Sequence, residues 1–229
     1  MSVRETLSEL YYSLFYDFGA KSHSYKYMRH IGIAIGGLVV ASGLFLGHRW
    51  YAVNREQKAQ EVFAGCVAEF ERAERDANLW PNAELVFHLG YEHHAGSNLG
   101  PYFKVFEAEA QVHQGKQSEA RVTMEQAVSQ LAKHSPVYHV YETKLALMLI
   151  DSDNAQDKQR GIATLEKLAN NTCNLNRDMA QYYAGLYYWS ANDEAKARTA
   201  WHDLLPLAQA EVASPWARLA ADKIAQLPA

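Results

Sequence analysis

An uncharged apolar run near the N-terminus limits what this chain can fold into. It extends from Ile31 to Gly47, and polar or basic residues flank it on both sides. At ~1.5 Å per residue such a helix reaches roughly 25 Å, near the lower limit for crossing a hydrocarbon core of about 30 Å. The run predicts an uncleaved single-span membrane anchor over residues 29–51, with a buried core helix as the alternative. We expect lipid or interface contacts from Ile31, Leu38, Leu44, Leu46, Trp50 and Tyr51.

A cleaved leader fits the run less well. The segment before it is long, and the run ends in "FLGHRWYA", which lacks a small-residue cleavage site. Basic residues near the run are balanced between its two sides, so the positive-inside rule leaves the orientation open. These residues are Lys21, Lys26 and Arg29 before it, and Arg49, Arg55 and Lys58 after it.

Residues 1–28 form the segment that precedes the anchor. Ser2 and Glu5 match a capping box. Apolar residues then recur at helical spacing, at Leu7, Leu10, Tyr11, Leu14, Phe15 and Phe18. The pattern predicts a short amphipathic helix that lies on a membrane, packs on a partner or serves only as a leader.

Charge and cysteine content narrow the function classes. The net charge is +2 for residues 1–53 and −6 for residues 54–229, whereas nucleic-acid binding requires a basic face. Cys66 and Cys173 form no CxxC pair, so neither a zinc site nor a disulfide framework is indicated. A single disulfide and two free thiols both remain open.

Residues 52–229 read as helical hairpins in series, without strands. The first helix continues from the anchor to about Asn78, because no turn signal interrupts it. Two later segments share one spacing of small, turn and core residues. The first contains Ala108, Gly115, Ala120, Met124 and Ala127, and the second contains Gly185, Asn192, Ala197, Trp201 and Leu204. Small residues let antiparallel helices approach closely, and Gly115 and Asn192 suit a left-handed helix end.

A looser copy of the repeat and a final helix complete this pattern. Ala146 and Gly161 are the small residues of the looser copy. Pro101 opens a helix in its first turn. Ser214 is a predicted cap before Pro215, and the helix that follows covers the last hairpin, as repeat arrays require.

Catalytic and metal-binding motifs are not found. His88 and His93 do not share a helix face, and adjacent His93 and His94 point apart, so "HLGYEHH" lacks the four-residue spacing of zinc helices. No nucleophile elbow or phosphate loop occurs. The sequence predicts a non-enzymatic protein without metal, cofactor, nucleic acid or small-molecule substrate.

Aromatic residues offer a candidate partner-binding groove, because repeat arrays bind peptides or helices on their concave face. Packing between irregular repeats is the alternative explanation for the same residues. The candidate groove residues are Tyr102, Val105, Glu109, Val112, Tyr182, Leu186 and Trp189.

The spacing of the hairpins resembles the tetratricopeptide repeat. One span ending in "GHRWY", a long helix, degenerate repeats and the closing "SPWARLAADKIAQL" further resemble the YfgM-like family of bacterial inner-membrane proteins, which are ancillary to the SecYEG translocon. The chain differs in its longer aromatic N-terminal segment and in an insertion near residues 151–157. The expected fold is all-α: a single N-terminal transmembrane helix, then a tetratricopeptide-like helical-hairpin array with a C-terminal capping helix.

The resemblance implies a cytoplasmic N-terminus, one span through the lipid bilayer and a periplasmic repeat domain over residues 52–229. It implies a protein-interaction module that associates with a SecYEG-type translocon or a periplasmic chaperone during protein export. A structural scaffold subunit of another envelope complex, in division, outer-membrane assembly or secretion, is the alternative.

Overall fold

The computed structural model describes residues 25–133, 135, 137–208 and 214–226, with side chains from residue 36 onward. All the regular secondary structure in this part of the chain is helical, and it contains no strand, which confirms the all-α prediction. The chain divides into two compact units, Met1–Arg55 and Glu56–Ala229. The predicted amphipathic helix near the N-terminus lies outside the described residues, as does the side chain of Ile31.

The elements follow one another in a simple order. In sequence they are α1 (Tyr25–Arg75), a 3₁₀ turn (Ala77–Leu79), α2 (Trp80–His94), α3 (Gly100–His113), α4 (Gln117–Gln130), α5 (Tyr138–Ile150), α6 (Ala155–Asn170), α7 (Arg177–Ser190), α8 (Glu194–His202), α9 (Leu205–Ala208) and α10 (Pro215–Ile224).

Helix α1 ends at Arg75, close to the predicted end near Asn78. The carboxylate of Asp76 then accepts a hydrogen bond from the backbone N–H of Asn78 at 3.1 Å and starts the 3₁₀ turn. In the first unit, the large apolar side chains between Leu38 and Tyr51 are all exposed. Among the residues whose side chains are described, no helix is long and apolar enough to span a membrane.

The second unit is a series of antiparallel helix pairs. The C-terminal part of α1 pairs with α2, α3 with α4, α5 with α6, and α7 with α8; α10 then packs on both α7 and α8. We call α2, α4, α6 and α8 the return helices, because each closes a hairpin. Buried apolar residues form separate clusters along the series rather than one central core.

The small and turn residues lie where the repeat spacing places them. Gly115 and Asn192 both have a positive φ, of 76° and 59°, as predicted for left-handed helix ends. A Cβ atom at Gly161 would lie 2.6 Å from the Ala146 carbonyl oxygen, so only glycine allows this approach. Ala120, like the other predicted crossing residues, is fully buried.

Proline and serine begin the last helix in a way that differs partly from the prediction. Pro215 lies in the first turn of α10, and Ser214 occupies the N-cap position. The Ser214 hydroxyl, however, makes no capping hydrogen bond; it donates instead to the Asp178 carboxylate at the start of α7. The Ser214 hydroxyl therefore links α10 to α7 through a charge-assisted hydrogen bond and does not cap α10.

Candidate functional site

The predicted groove residues of α3 do not all reach the surface. Tyr102, Glu109 and Val112 are half-buried, whereas Val105 is fully buried against α4 and α5. Val105 therefore does not lie on an exposed surface, because α5 covers the face of α3 on which it lies.

Two of these α3 residues meet a matching pair on α5. The rings of Tyr102 and Tyr141 pack edge to face with centroids 6.2 Å apart. The Lys144 ammonium lies 2.6 Å from the Glu109 carboxylate. Burial, followed by the nearby Glu109 charge and Tyr102, raises the pKa of Tyr141, so its phenol stays neutral. Tyr141 and Lys144 are three residues apart, so helical spacing could have revealed them.

The predicted residues of α7 separate into core and surface. Tyr182 is 7% exposed and packs on Trp201 and Trp216, so it too does not line an open groove. Leu186 is half-buried against the same cluster. Trp189 remains exposed, with the Lys223 ammonium 4.3 Å from its ring centroid. The seven predicted residues thus do not form one continuous groove.

The histidines of α2 have separate surroundings. His88 lies 3.0 Å from the buried Glu107 carboxylate and 3.6 Å from Glu92. His93 is exposed, and His94 stacks on Phe103. Within the described ranges, no three histidine, cysteine or acidic side chains are placed to hold a metal ion.

Side chains join successive return helices at their seams, by which we mean the lines along which α2 meets α4, α4 meets α6, and α6 meets α8. At the first seam, Lys116 is the N-cap residue just before α4, and its ammonium lies 2.6 Å from the Glu84 carboxylate. Burial alone would raise the pKa of Glu84, but hydrogen bonds from Lys116, Gln111 and Gln114 outweigh it and lower the pKa. The second seam pairs Glu125 with Arg160 at 2.8 Å.

A further pair and a hydrogen bond support these two seams. Arg121 lies 3.2 Å from Asp157 at the second seam. At the first, the Gln130 amide donates to the Tyr91 hydroxyl at 2.9 Å. Both seams are therefore closed by polar side chains that reach from one return helix to the next.

The third seam is open. A cleft of about 290 Å³ lies where α6, α7 and α8 meet, and we call it the seam cleft. The Tyr188 hydroxyl donates to the Glu166 carboxylate at its edge. Burial and this hydrogen bond raise the pKa of Tyr188, so the phenol remains a donor. The cleft is lined by Glu166, Ala169, Asn170, Gln181, Ala184, Tyr188, Lys196, Thr199 and Ala200.

A second cleft, of about 340 Å³, lies between the C-terminal part of α1 and α2. Its walls are mainly apolar and include Val62, Cys66 and Leu89. The Cys66 thiol donates to the Val86 carbonyl oxygen at 3.3 Å, and burial raises its pKa. Cys66 and the exposed Cys173 are both free thiols in the structure.

Comparison with known proteins identifies no relative of this chain. No family model matches the chain, and no curated protein or solved structure matches it. The function is therefore inferred from the residues themselves and from the architectural resemblance that the sequence carries.

Proposed function

We propose that this protein is a non-enzymatic, membrane-tethered module for protein–protein interaction. The observation that carries the proposal is the exposed apolar surface of the first unit. Leu44 and Trp50 are each 71% exposed, and the apolar residues around them are exposed on every side of the helix. A helix that is apolar all round is stable only when lipid or protein surrounds it, and a bilayer supplies lipid without a dedicated partner.

The second unit supports the interaction part of the proposal. Successive hairpins present Tyr102 with Tyr141, and Glu109 with Lys144, on neighbouring helices. Aromatic rings with polar tips and nearby charges are typical of residues that recognise polypeptides. Tethering such a surface to a membrane raises its effective concentration for partners at the same membrane.

The resemblance to the YfgM-like family suggests the partners and the orientation. On this basis the N-terminus is cytoplasmic, the hairpin array is periplasmic, and the protein resides in a bacterial inner membrane. It then associates with a SecYEG-type translocon or a periplasmic chaperone during protein export. The array is tetratricopeptide-like in this proposal, because its glycine and alanine positions match that repeat.

Topology is the first test. A reporter that is active only outside the cytoplasm is fused after Ala229 and, in a separate fusion protein, before Met1. We expect activity from the first fusion and none from the second. A cytoplasmic C-terminus would contradict the orientation and the family assignment together.

Partner recovery is the second test. The full chain is crosslinked in cells, solubilised from membranes and purified, and its partners are identified by mass spectrometry. Translocon subunits or a periplasmic chaperone are the expected partners. Recovery of subunits of a different envelope complex instead would favour the scaffold function.

A further inference from the structure

The described hairpins of the second unit meet at three junctions, and two of these are closed by buried apolar side chains from both sides. At the first junction, Phe103 and Ala110 of α3 are fully buried in the cluster that α1 and α2 form. At the third junction, Ala180 and Ala184 of α7 are buried together with Leu165 of α6. In both cases the later hairpin contributes buried residues to the contact.

The junction between the hairpins α3–α4 and α5–α6, which we call the middle junction, is packed differently. The buried residues of its cluster, among them Val105 and Met124, all come from α3 and α4. The residues that α5 adds are only half-buried, and they are Tyr138, Tyr141, Leu145 and Met148. Regions with few buried apolar contacts open at a low cost in free energy. Among the residues that the structure describes, the middle junction is therefore the weakest apolar contact between hairpins.

A network of charges holds the middle junction on the side of the return helices α4 and α6. The Asp157 carboxylate of α6 lies 3.2 Å from Arg121 of α4. It also accepts hydrogen bonds from Ser152 at 3.3 Å and from Arg160 at 3.5 Å. Arg160 in turn pairs with Glu125 of α4. Several linked charges hold two helices together better than an isolated surface pair does.

The side of α3 and α5 is held less firmly. A single ion pair, Glu109 with Lys144, crosses it among the described residues, and the Lys144 side chain is 42% exposed. Water and salt therefore weaken this pair. The remaining contact is the edge-to-face packing of Tyr102 on Tyr141, two rings that are both half-buried. This side of the junction should therefore open before the other.

We infer that the array bends at the middle junction, with the line between α4 and α6 as its axis, so that α5 moves away from α3. The bend separates Tyr102 from Tyr141 and Glu109 from Lys144. These four residues form the surface on which the proposed interaction function depends. The inference rests on that function for its consequence, which is that the bend determines whether this surface is closed on itself or open to a partner polypeptide.

Distances between spin labels on the purified full chain test the bend. Cys173→Ser removes the exposed natural thiol, and the buried Cys66 remains unlabelled. The labels replace exposed residues at the C-terminal ends of three successive helices, namely Glu74 of α1, His113 of α3 and Asp151 just after α5. The pair 113/151 spans the middle junction and the pair 74/113 spans the first. Because both pairs share the label at position 113, both carry the same local perturbation.

Ionic strength is the variable that should drive the bend. Raising it from about 0.01 M to about 1 M shortens the Debye length from about 30 Å to about 3 Å. We expect the 113/151 distance to increase by about 3 Å, which a rotation of about 15° produces at an interaxial distance of about 10 Å. The 74/113 distance should change by less than about 1 Å, because a close-packed cluster holds that junction. A further pair, at the exposed residues Gln126 of α4 and Ala163 of α6, should also stay constant, because it lies near the axis.

One variant tests the role of the ion pair. Glu109→Gln should lengthen the 113/151 distance already at low ionic strength. Glu119→Gln is the matched control, since it makes the same charge change at an exposed position of α4. A 113/151 distance that responds no more than the 74/113 distance to salt, or no more to Glu109→Gln than to Glu119→Gln, would overturn the inference. Equal lengthening of the 126/163 and 113/151 distances would also overturn it, since the line between α4 and α6 would then not be the axis.

This test and those of the proposed function can fail separately. An envelope partner recovered from cells, together with a 113/151 distance that does not respond to salt, would leave the proposed function standing and remove the bend. A salt-dependent bend in a protein with a cytoplasmic C-terminus would keep the bend and remove the proposed location.

Discussion

The indole ring of Trp201 packs directly on the backbone of Gly185. Its Nε1 atom donates a hydrogen bond to the Tyr182 carbonyl oxygen at 3.1 Å, and the side chain is fully buried. A Cβ atom at position 185 would overlap the ring. Gly185 is therefore required by the close approach of α8 and not by its backbone angles.

Replacing Gly185 with alanine should destabilise the last hairpin. We expect Gly185→Ala to lower the free energy of unfolding by about 1–3 kcal/mol, the usual cost of overpacking a close-packed core. Gly65→Ala is the control, because nothing lies within 4 Å of the corresponding Cβ position. At that position in a helix, alanine should raise the free energy of unfolding by about 0.5–1 kcal/mol. Urea unfolding measures both. Equal effects of the two substitutions would show that Trp201 does not constrain position 185.

The two left-handed turns should respond differently to exchange of their residues. Gly115→Ala places a Cβ atom at a φ of 76° and should cost about 1–2 kcal/mol of stability. Asn192→Gly, at a φ of 59°, should change the free energy of unfolding by less than about 0.5 kcal/mol. Glycine adopts this backbone angle more easily than asparagine, which already tolerates it, but glycine also increases the entropy of the unfolded chain, so the two effects nearly cancel. Chemical denaturation distinguishes the two results, and a neutral Gly115→Ala would contradict the assigned turn.

The Glu84–Lys116 pair should make stability depend on pH in the acid range. The folded-state pKa of Glu84 is lowered, so its contribution is present above the unfolded pKa of about 4.3 and is lost as the pH falls through the folded value. Glu84→Gln should therefore lower the free energy of unfolding by about 1 kcal/mol at pH 7. The loss should be smaller at acid pH, where Glu84 itself is protonated.

Unfolding by urea across the range from neutral to acid pH, for the natural protein and the variant, measures this difference. Glu71→Gln is the control, because it makes the same charge change at an exposed position of α1. A cost of Glu84→Gln that stays constant with pH would mean that lost packing, and not the charge of Glu84, is responsible.

A charge in the exposed apolar segment should release the protein from membranes. Leu44→Arg should disfavour insertion by about 2.5–3.5 kcal/mol if Leu44 lies near the centre of a span. Leu219→Arg is the control, because Leu219 is 44% exposed on α10 and is not one of the residues of the predicted anchor, 29–51. Alkaline extraction of membranes measures the retained fraction. Identical retention of the two variants would argue against the anchor.

Sequence spacing predicted the turns well and the surfaces poorly, for a physical reason. The positive φ of Gly115 and Asn192 depends on local chain geometry, which the repeat reveals. Whether Tyr182 is exposed depends instead on Trp216, a distant residue on a helix that packs back onto α7. The seam cleft depends on alanines from three helices, and small residues in a helix give no signal of the space beside them.

The division of the buried residues into clusters has a kinetic consequence. In the described part of the second unit, each cluster joins helices that are close neighbours along the chain. Helical proteins with such local contacts fold within about microseconds to milliseconds. A chain that emerges from a ribosome can therefore close each hairpin as soon as its two helices are free. Its apolar surface is then exposed to aggregation one hairpin at a time.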